Sequence, residues 1–204
     1  MAKVSEKIRT ALTTSNIAVG WGVGKRIAAQ FTKQGIEVLG SGQFGAVIRD
    51  NGNVVKIFNA QEKGYGFYLS FLKGKSSVLH PRVKTVGTFG QFTCVQIEPL
   101  VDFSKIAGNE VASKLASWID YKCNSVRYRL SGAKYPWKSR FPEAAAQYVN
   151  KTNLAGMLDK FVRAIVKHEK ETGVDLTLDI HAGNFMLRDN GDGSYQFVLT
   201  DPLC

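Results

Sequence analysis

The sequence predicts an α+β fold in two lobes, strand-rich first and helical second. Three observations carry that expectation. From Ile36 to Ile97 the chain falls into short β-prone runs broken by turn residues; after Pro99 apolar residues recur at helical spacing; and the texture changes near Glu98 to Val101. With 204 residues, 44% hydrophobic and 22% charged, the chain can close a core and lies far from the polar composition of disorder. The expected divisions are a helical segment over residues 1–35, a β-rich lobe over 36–98 and a reduced helical lobe over 99–204.

Residues 3–13 predict a short helix. Val23 to Lys33 predicts a second, with Ile27, Ala28 and Phe31 on one side and Gly35 as its stop. Strands are expected over Ile36–Leu39, Ala46–Arg49 and Val54–Phe58. The last two flank Asp50-Asn51-Gly52-Asn53, whose Asn-Gly pair suits a tight hairpin because both residues tolerate positive φ. Glu62 to Leu72 reads as a helix weakened by Gly64 and Gly66. Val83–Phe89 and Phe92–Ile97 read as the next strand pair, around Gly90-Gln91. Val111, Leu115, Trp118 and Ile119 mark one amphipathic helix. Leu154, Met157, Leu158, Phe161, Ile165 and Val166 mark a longer one, started near Asn153 and stopped at Gly173. Strands over Phe185–Arg188 and Gln196–Leu199 follow, around the turn Asn190-Gly191-Asp192-Gly193.

Twenty-seven Lys and Arg against 17 Asp and Glu give a formal charge of +10. That excess suits an acidic partner, a nucleic acid or a nucleotide without choosing among them. No apolar run approaches the ~20 residues that span a bilayer, and residues 1–7 lack the apolar centre of a secretory signal, so a soluble protein with no membrane association is expected. Cys94, Cys123 and Cys204 are far apart with no C-x-x-C pair, which argues against a disulfide framework or a thiolate zinc site. His168 stands beside Glu169 without a second histidine at zincin spacing, so hydrolase chemistry on a histidine cluster is excluded. His80 and His168 read as structural or exposed.

Gly40-Ser41-Gly42-Gln43-Phe44-Gly45-Ala46-Val47 matches G-x-G-x-x-G-x-V. A dinucleotide-binding fold would follow it with a helix, but here a strand follows, then a hairpin, then Val54-Val55-Lys56-Ile57 on the next strand. Glycines in such a flap let backbone N–H groups approach phosphates, and a lysine on the neighbouring strand can set its ammonium against them. A plain glycine-rich hairpin over the core is the alternative. Farther on, Leu178-Asp179-Ile180-His181-Ala182-Gly183-Asn184 places an Asp and an Asn five residues apart on a loop, the Asp suited to a substrate hydroxyl and the Asn to a divalent metal. Thr200-Asp201-Pro202 adds a carboxylate at the end of an apolar strand. Flap, lysine, Asp with Asn, and Asp, in that order, are the parts that phosphoryl transfer from MgATP requires.

With these motifs the sequence resembles the protein-kinase-like superfamily, in a minimal two-lobed form. The Asp-x-His-x-Gly-Asn run, with His181 in place of the usual lysine and no His-Arg pair before Asp179, is nearer to small-molecule and atypical kinases. More closely, Val38–Phe44 through Val55-Lys56, then Asp179–Met186 and Thr200-Asp201-Pro202, is similar to the early serine/threonine protein kinases of autographivirus (T-seven-like) phages. The resemblance implies ATP and Mg2+ as cofactors and the host bacterial cytoplasm as location. It implies host proteins as substrates, RNA polymerase or RNA-processing enzymes among them. Carried over by position, Gly40, Ser41, Gly42, Gln43, Phe44, Gly45 and Val47 would cover the nucleotide and Lys56 would bind its phosphates. Asp179 would be the catalytic carboxylate, Asn184 and Asp201 the magnesium ligands, and Glu98 and Leu100 the adenine-facing connection. His181 is a phosphate contact or a loop hydrogen-bonding residue.

Several departures qualify the likeness. Lys56 follows Gly45 by only eleven residues, which the Asn51-Gly52 hairpin explains, and Glu62 is the only acid between Lys56 and Glu98 that can pair with the lysine. Asp201-Pro202-Leu203 replaces Asp-Phe-Gly, and the sequence stops there. The expectation is therefore that no activation segment follows, that any protein-substrate platform precedes Asp179, and that the basic C-terminal region often carried by the resembling phage family is missing. Gly20-Trp21-Gly22-Val23-Gly24-Lys25-Arg26 imitates a P-loop, but Val19 holds the first glycine position and Arg26 the Ser/Thr position. Tyr121 to Arg140 carries Lys122, Arg127, Arg129, Lys134, Lys138 and Arg140 with no acid among them, interleaved with Tyr121, Tyr128, Tyr135 and Trp137. It reads as a docking surface for acidic proteins, as a solvated insertion, or, less favoured, as a direct nucleic-acid grip. The rival functions are a non-catalytic module that inhibits a host machine through this surface, and a small-molecule kinase.

Overall fold

Alternate apolar residues in the first half of the chain line one face of an antiparallel sheet, and two helices cover that face. The computed structural model describes residues 4–14, 16–73 and 77–203; Lys3 and Cys204 lie outside them. The helices are α1 (Glu6–Thr14) and α2 (Val23–Lys33). The strands are β1 (Val38–Ser41), β2 (Gly45–Asp50), β3 (Asn53–Asn59), β4 (Val83–Phe89) and β5 (Phe92–Ile97), in the order β1-β2-β3-β5-β4. Every neighbouring pair is antiparallel.

Ile8, Leu12, Ile27 and Phe31 from the helices share one buried cluster with Ile48, Val55, Ile57 and Phe92 from the sheet. Burial of each such side chain contributes roughly 1.5–3 kcal/mol relative to exposure. Side chains alternate along a strand, so turning Val55 and Ile57 to this core puts Lys56 and Phe58 on the opposite face. At the β2–β3 hairpin Asn51 and Gly52 take φ of 49° and 78°, as the Asn-Gly pair requires. Ser5 N–H donates to Asp50 Oδ2 at 2.7 Å, fastening the start of α1 to that hairpin.

Most bounds shift by a residue or a few, and two of the shifts bear on the site. β1 begins at Val38 and takes in Gly40 and Ser41, because these pair with Val47 and Ala46; the ladder overrides glycine's weak strand propensity. The turn of the flap is therefore only Gly42–Phe44. Helix α3 (Lys63–Leu72) starts one residue late, and Glu62 caps it instead of joining it. The Glu62 carboxylate accepts from Gly64 N–H at 2.7 Å and from Tyr65 N–H, which offsets the poor helix propensity of Gly64 and Gly66.

The chain divides into two units: residues up to Gly66 with Arg82–Pro99, and Phe67–Pro81 with residues from Leu100 on. The N-terminal helices share the first unit's core, and the division passes through α3. The second unit contains β6 (Val101–Asp102), α4 (Phe103–Ala107), α5 (Asn109–Leu130), α6 (Lys151–Thr172), β7 (Phe185–Asp189) and β8 (Tyr195–Leu199). Its small sheet runs β6-β7-β8, antiparallel throughout. The rings of Phe103, Phe185 and Phe197 meet edge to face behind it. Asn150 caps α6 by accepting from Asn153 N–H at 3.0 Å, three residues before the expected start. β6 and α4, too short to show a period, went unanticipated; Asp102 stands between them and caps α4 through Ser104 N–H at 2.8 Å. Among the described residues no helix is long and apolar enough to cross a membrane.

Candidate functional site

The residues singled out by the sequence fall into two groups, one in each unit. In the first unit, Gly42 N–H donates to Gly45 O at 2.9 Å and closes the β1–β2 turn over Gln43 and Phe44. The three motif glycines have different reasons to be glycine. A Cβ on Gly45 would lie 2.6 Å from Ile57 O, so its absence lets β2 approach β3. A Cβ on Gly40 or Gly42 would meet nothing within 4 Å, so neither is required by the protein's own packing. The space left open beside them suits a close-lying ligand.

Val47 pairs with Lys56 across the β2–β3 ladder and so shares its face. Lys56 is only 9% exposed, and its Nζ sits 3.5 Å from the centre of the Tyr65 ring, a cation–π contact made in a largely dry environment. Tyr65 also packs edge-on to Phe58, with ring centres 4.8 Å apart. Its backbone N–H is held by Glu62, so the Lys56 ammonium and the Glu62 carboxylate converge on one residue. Glu98 lies near the end of this unit: its N–H donates to Arg82 O at 3.1 Å and its carboxylate accepts from Arg82 N–H at 2.8 Å. A cavity of about 310 Å3 opens there, with Asn53, Arg82, Gln96 and Glu98 in its wall. Leu100 belongs to the second unit.

In the second unit the two late motifs are zipped together by their backbones. Asp179 N–H donates to Pro202 O at 2.9 Å, and Leu178 bridges Leu203. Thr200 closes the other end, its N–H and its hydroxyl both donating to Asn184 O at 3.0 Å. Asn184, 8% exposed, donates its side-chain amide N–H to Asp179 O at 2.8 Å, and Asp179 Oδ2 stands 3.4 Å from the same nitrogen. With the amide nitrogen so engaged, the side-chain oxygen is the Asn184 atom that could hold a metal. Residues 179, 184 and 201 are thereby drawn into one cluster. An amide oxygen and a carboxylate are hard donors that fit magnesium. Among the described residues no three His, Cys, Asp or Glu form a self-sufficient cage, so a metal here would complete its shell from substrate and water.

His181 works mainly on the loop itself. Its Nδ1 accepts from Gly183 N–H at 3.1 Å, and Nε2 faces Asp179 Oδ2 at 3.4 Å. Tyr68, which has no signal in the sequence, buttresses the zip from the second-unit end of α3. Its hydroxyl donates to Leu199 O at 2.6 Å, and burial, reinforced by the Asp201 charge, pushes its pKa well above that of an ordinary phenol. It therefore acts as a neutral donor near the Asp201 carboxylate. Burial also pushes the Cys94 and Cys123 thiols up to about 12, which makes both inert as nucleophiles.

The basic segment needs correction. It has no acid of its own, but α6 supplies acids to two of its arginines. Arg127 meets Glu169 at 2.5 Å and donates to Leu176 O at 2.9 Å, while Arg129 meets Asp159 at 2.6 Å. Arg127, partly buried, ties α5 to α6, whereas Arg129 is paired but keeps a side chain 62% exposed, where an ion pair contributes little. Among the described residues Lys134, Lys138 and Arg140 have no ion-pair partner, and Trp137 between them is 71% exposed. Arg127→Ala is expected to destabilise the protein by about 2 kcal/mol, because Glu169 and the Leu176 carbonyl lose a partly buried donor. A urea denaturation midpoint that does not move would refute this.

No family model matches the chain, and no curated protein sequence matches it significantly.

Proposed function

We propose that the protein is a MgATP-dependent phosphotransferase that modifies Ser and Thr hydroxyls of host proteins, as the resembling early phage kinases do with host transcription and RNA-processing proteins. The observation that carries this reading is the zipped cluster of Asp179, Asn184 and Asp201, which matches a hydroxyl-facing carboxylate and two hard metal donors in type and chain order. The glycine flap and Lys56 of the first unit support it by residue type and chain order. Asn184 and Asp201 would hold the magnesium, which when bound neutralises phosphate charge. Lys56 adds a fixed positive charge from a position where its stem is buried. Asp179 takes the position of the group that accepts the proton of the substrate hydroxyl. The chain's contribution is positioning and electrostatics, which is most of what phosphoryl transfer needs.

The direct test is incubation of the purified protein with γ-labelled ATP, magnesium and host lysate. Label in protein bands supports the proposal. Label confined to small molecules identifies a small-molecule kinase, and absence of label leaves the non-catalytic binding module.

Protein substrates are proposed to dock on the cations that the fold leaves unpaired. Lys134→Glu with Lys138→Glu is expected to slow phosphorylation of protein substrates about tenfold at low salt and to flatten its salt dependence, because fewer screened attractions remain. Rates on a short neutral peptide should change little. Equal loss on both substrates would show that the segment is not a docking surface.

A further inference from the structure

The run Gly20–Arg26, which imitates a P-loop in sequence, is built against the tip of the glycine flap. A Cβ on Gly24 would lie 2.1 Å from Gly45 O and 2.3 Å from Gly42 O, both backbone atoms of the flap. No neighbouring side chain could relieve that overlap by rotating. Gly24 N–H points at Gln43 O, 3.4 Å away, so the positive end of α2 receives the flap's carbonyl groups. Gln43, with its amide oriented by its hydrogen bonds, accepts from Gly22 N–H and, at 3.3 Å, from Trp21 Nε1–H. The Trp21 ring meets Phe44 edge-on, with centres 6.0 Å apart, although Trp21 is 81% exposed. Arg26 in turn pins the loop by donating to the carbonyls of Ala18, Gly20 and Trp21.

This backing fixes the polarity of the flap. A trans peptide directs its N–H opposite to its C=O. With the Gly42 carbonyl turned to Gly24, the Gln43 N–H is aimed away from α2, and neither it nor the Phe44 N–H has an acceptor among the described residues. Two donors held in a turn beside Gly40 and Gly42, where no side chain fills the space, are a pre-oriented anion contact.

We infer that the Gly20–Arg26 loop is a positioning element that locks the glycine flap, with Gly24 as its contact point, so that the Gln43 and Phe44 N–H groups are oriented toward a polyphosphate before it binds. This rests on the phosphotransferase reading for the identity of the anion, and it gives the N-terminal helices a role in that chemistry. Flap glycines are free to reorient when unsupported, and pre-ordering them removes that cost from binding.

The test uses the full chain and the non-hydrolysable analogue AMP-PNP with magnesium, with adenosine as the ligand lacking phosphates. Gly24→Ala, and separately Trp21→Ala, whose exposed ring can be removed without opening the core, are the variants. Both are expected to weaken AMP-PNP binding, Gly24→Ala by about tenfold or more, with adenosine binding unchanged. Amide hydrogen exchange of Gly42, whose N–H the closed turn holds to Gly45 O, should quicken in the unliganded variants while exchange in β4 and β5 stays as in the wild type. If the wild type binds AMP-PNP and both variants bind it equally well, or if flap exchange is unaltered, the inference is wrong while the phosphotransferase reading stands. If the wild type binds no AMP-PNP, that reading falls, and the inference with it.

Discussion

Asp179→Asn is expected to lower phosphoryl transfer by about 10²-fold or more while leaving the affinity for MgATP nearly unchanged. The structure gives a reason to expect so clean a separation. The contacts that fasten residue 179 to its surroundings use mainly its backbone: its N–H donates to Pro202 O and its carbonyl accepts from the Asn184 amide. An asparagine of the same shape keeps both, so the loop and Asn184 should stay in place. The change removes the carboxylate's negative charge and its ability to take a proton. Lys56→Met is the contrasting variant, because it removes a charge assigned to the phosphates and should weaken binding as well as transfer. Single-turnover rates with a titration of nucleotide affinity distinguish the two. An Asp179→Asn protein that loses ATP binding as severely as activity would show that Asp179 does not have the role proposed for it.

The fold was legible where its determinants are local. Val23–Lys33 and the strands Val83–Phe89 and Phe92–Ile97 have the bounds that periodicity and turn residues predict, because each is stopped by a turn signal in its own sequence. Gly40 and Ser41 were misread as loop because strand pairing with β2, a non-local fact, recruits them. The same limit applies to charge. Tyr121–Arg140 looks acid-poor along the chain, but the partners of Arg127 and Arg129 lie 42 and 30 residues downstream and are invisible to a local window. In the site, residue types and their order were readable, whereas the backbone zip that gathers Asp179, Asn184 and Asp201 was not. Tyr65 and Tyr68 carried no signal, since a tyrosine in a helix reads as core until its contacts are known. Gly24 showed in the sequence only as part of an imitation P-loop, because the tight approach that requires it to be glycine depends on packing between elements distant in sequence.

Asp201→Asn is expected to reduce transfer by about 10²–10³-fold at any magnesium concentration, because a neutral amide cannot replace the carboxylate charge proposed to hold the metal. Tyr68 supplies a second readout that does not depend on activity. The Asp201 charge is one of the two causes that raise the Tyr68 pKa, the larger being burial. Neutralising residue 201 should therefore lower that pKa toward the ordinary value of 10.0 without reaching it. In the wild type the folded state holds the Tyr68 proton after the unfolded chain has released it. The contribution to stability is fully present below the phenol's ordinary pKa and is lost as pH rises from there through the raised folded value. The variant should lose less stability over that alkaline range. Spectrophotometric titration of tyrosine ionisation, with urea melts on either side of the ordinary phenol pKa, measures both effects. If the titration shifts as expected while turnover at saturating magnesium is unchanged, Asp201 is confirmed beside Tyr68 and excluded as a metal ligand.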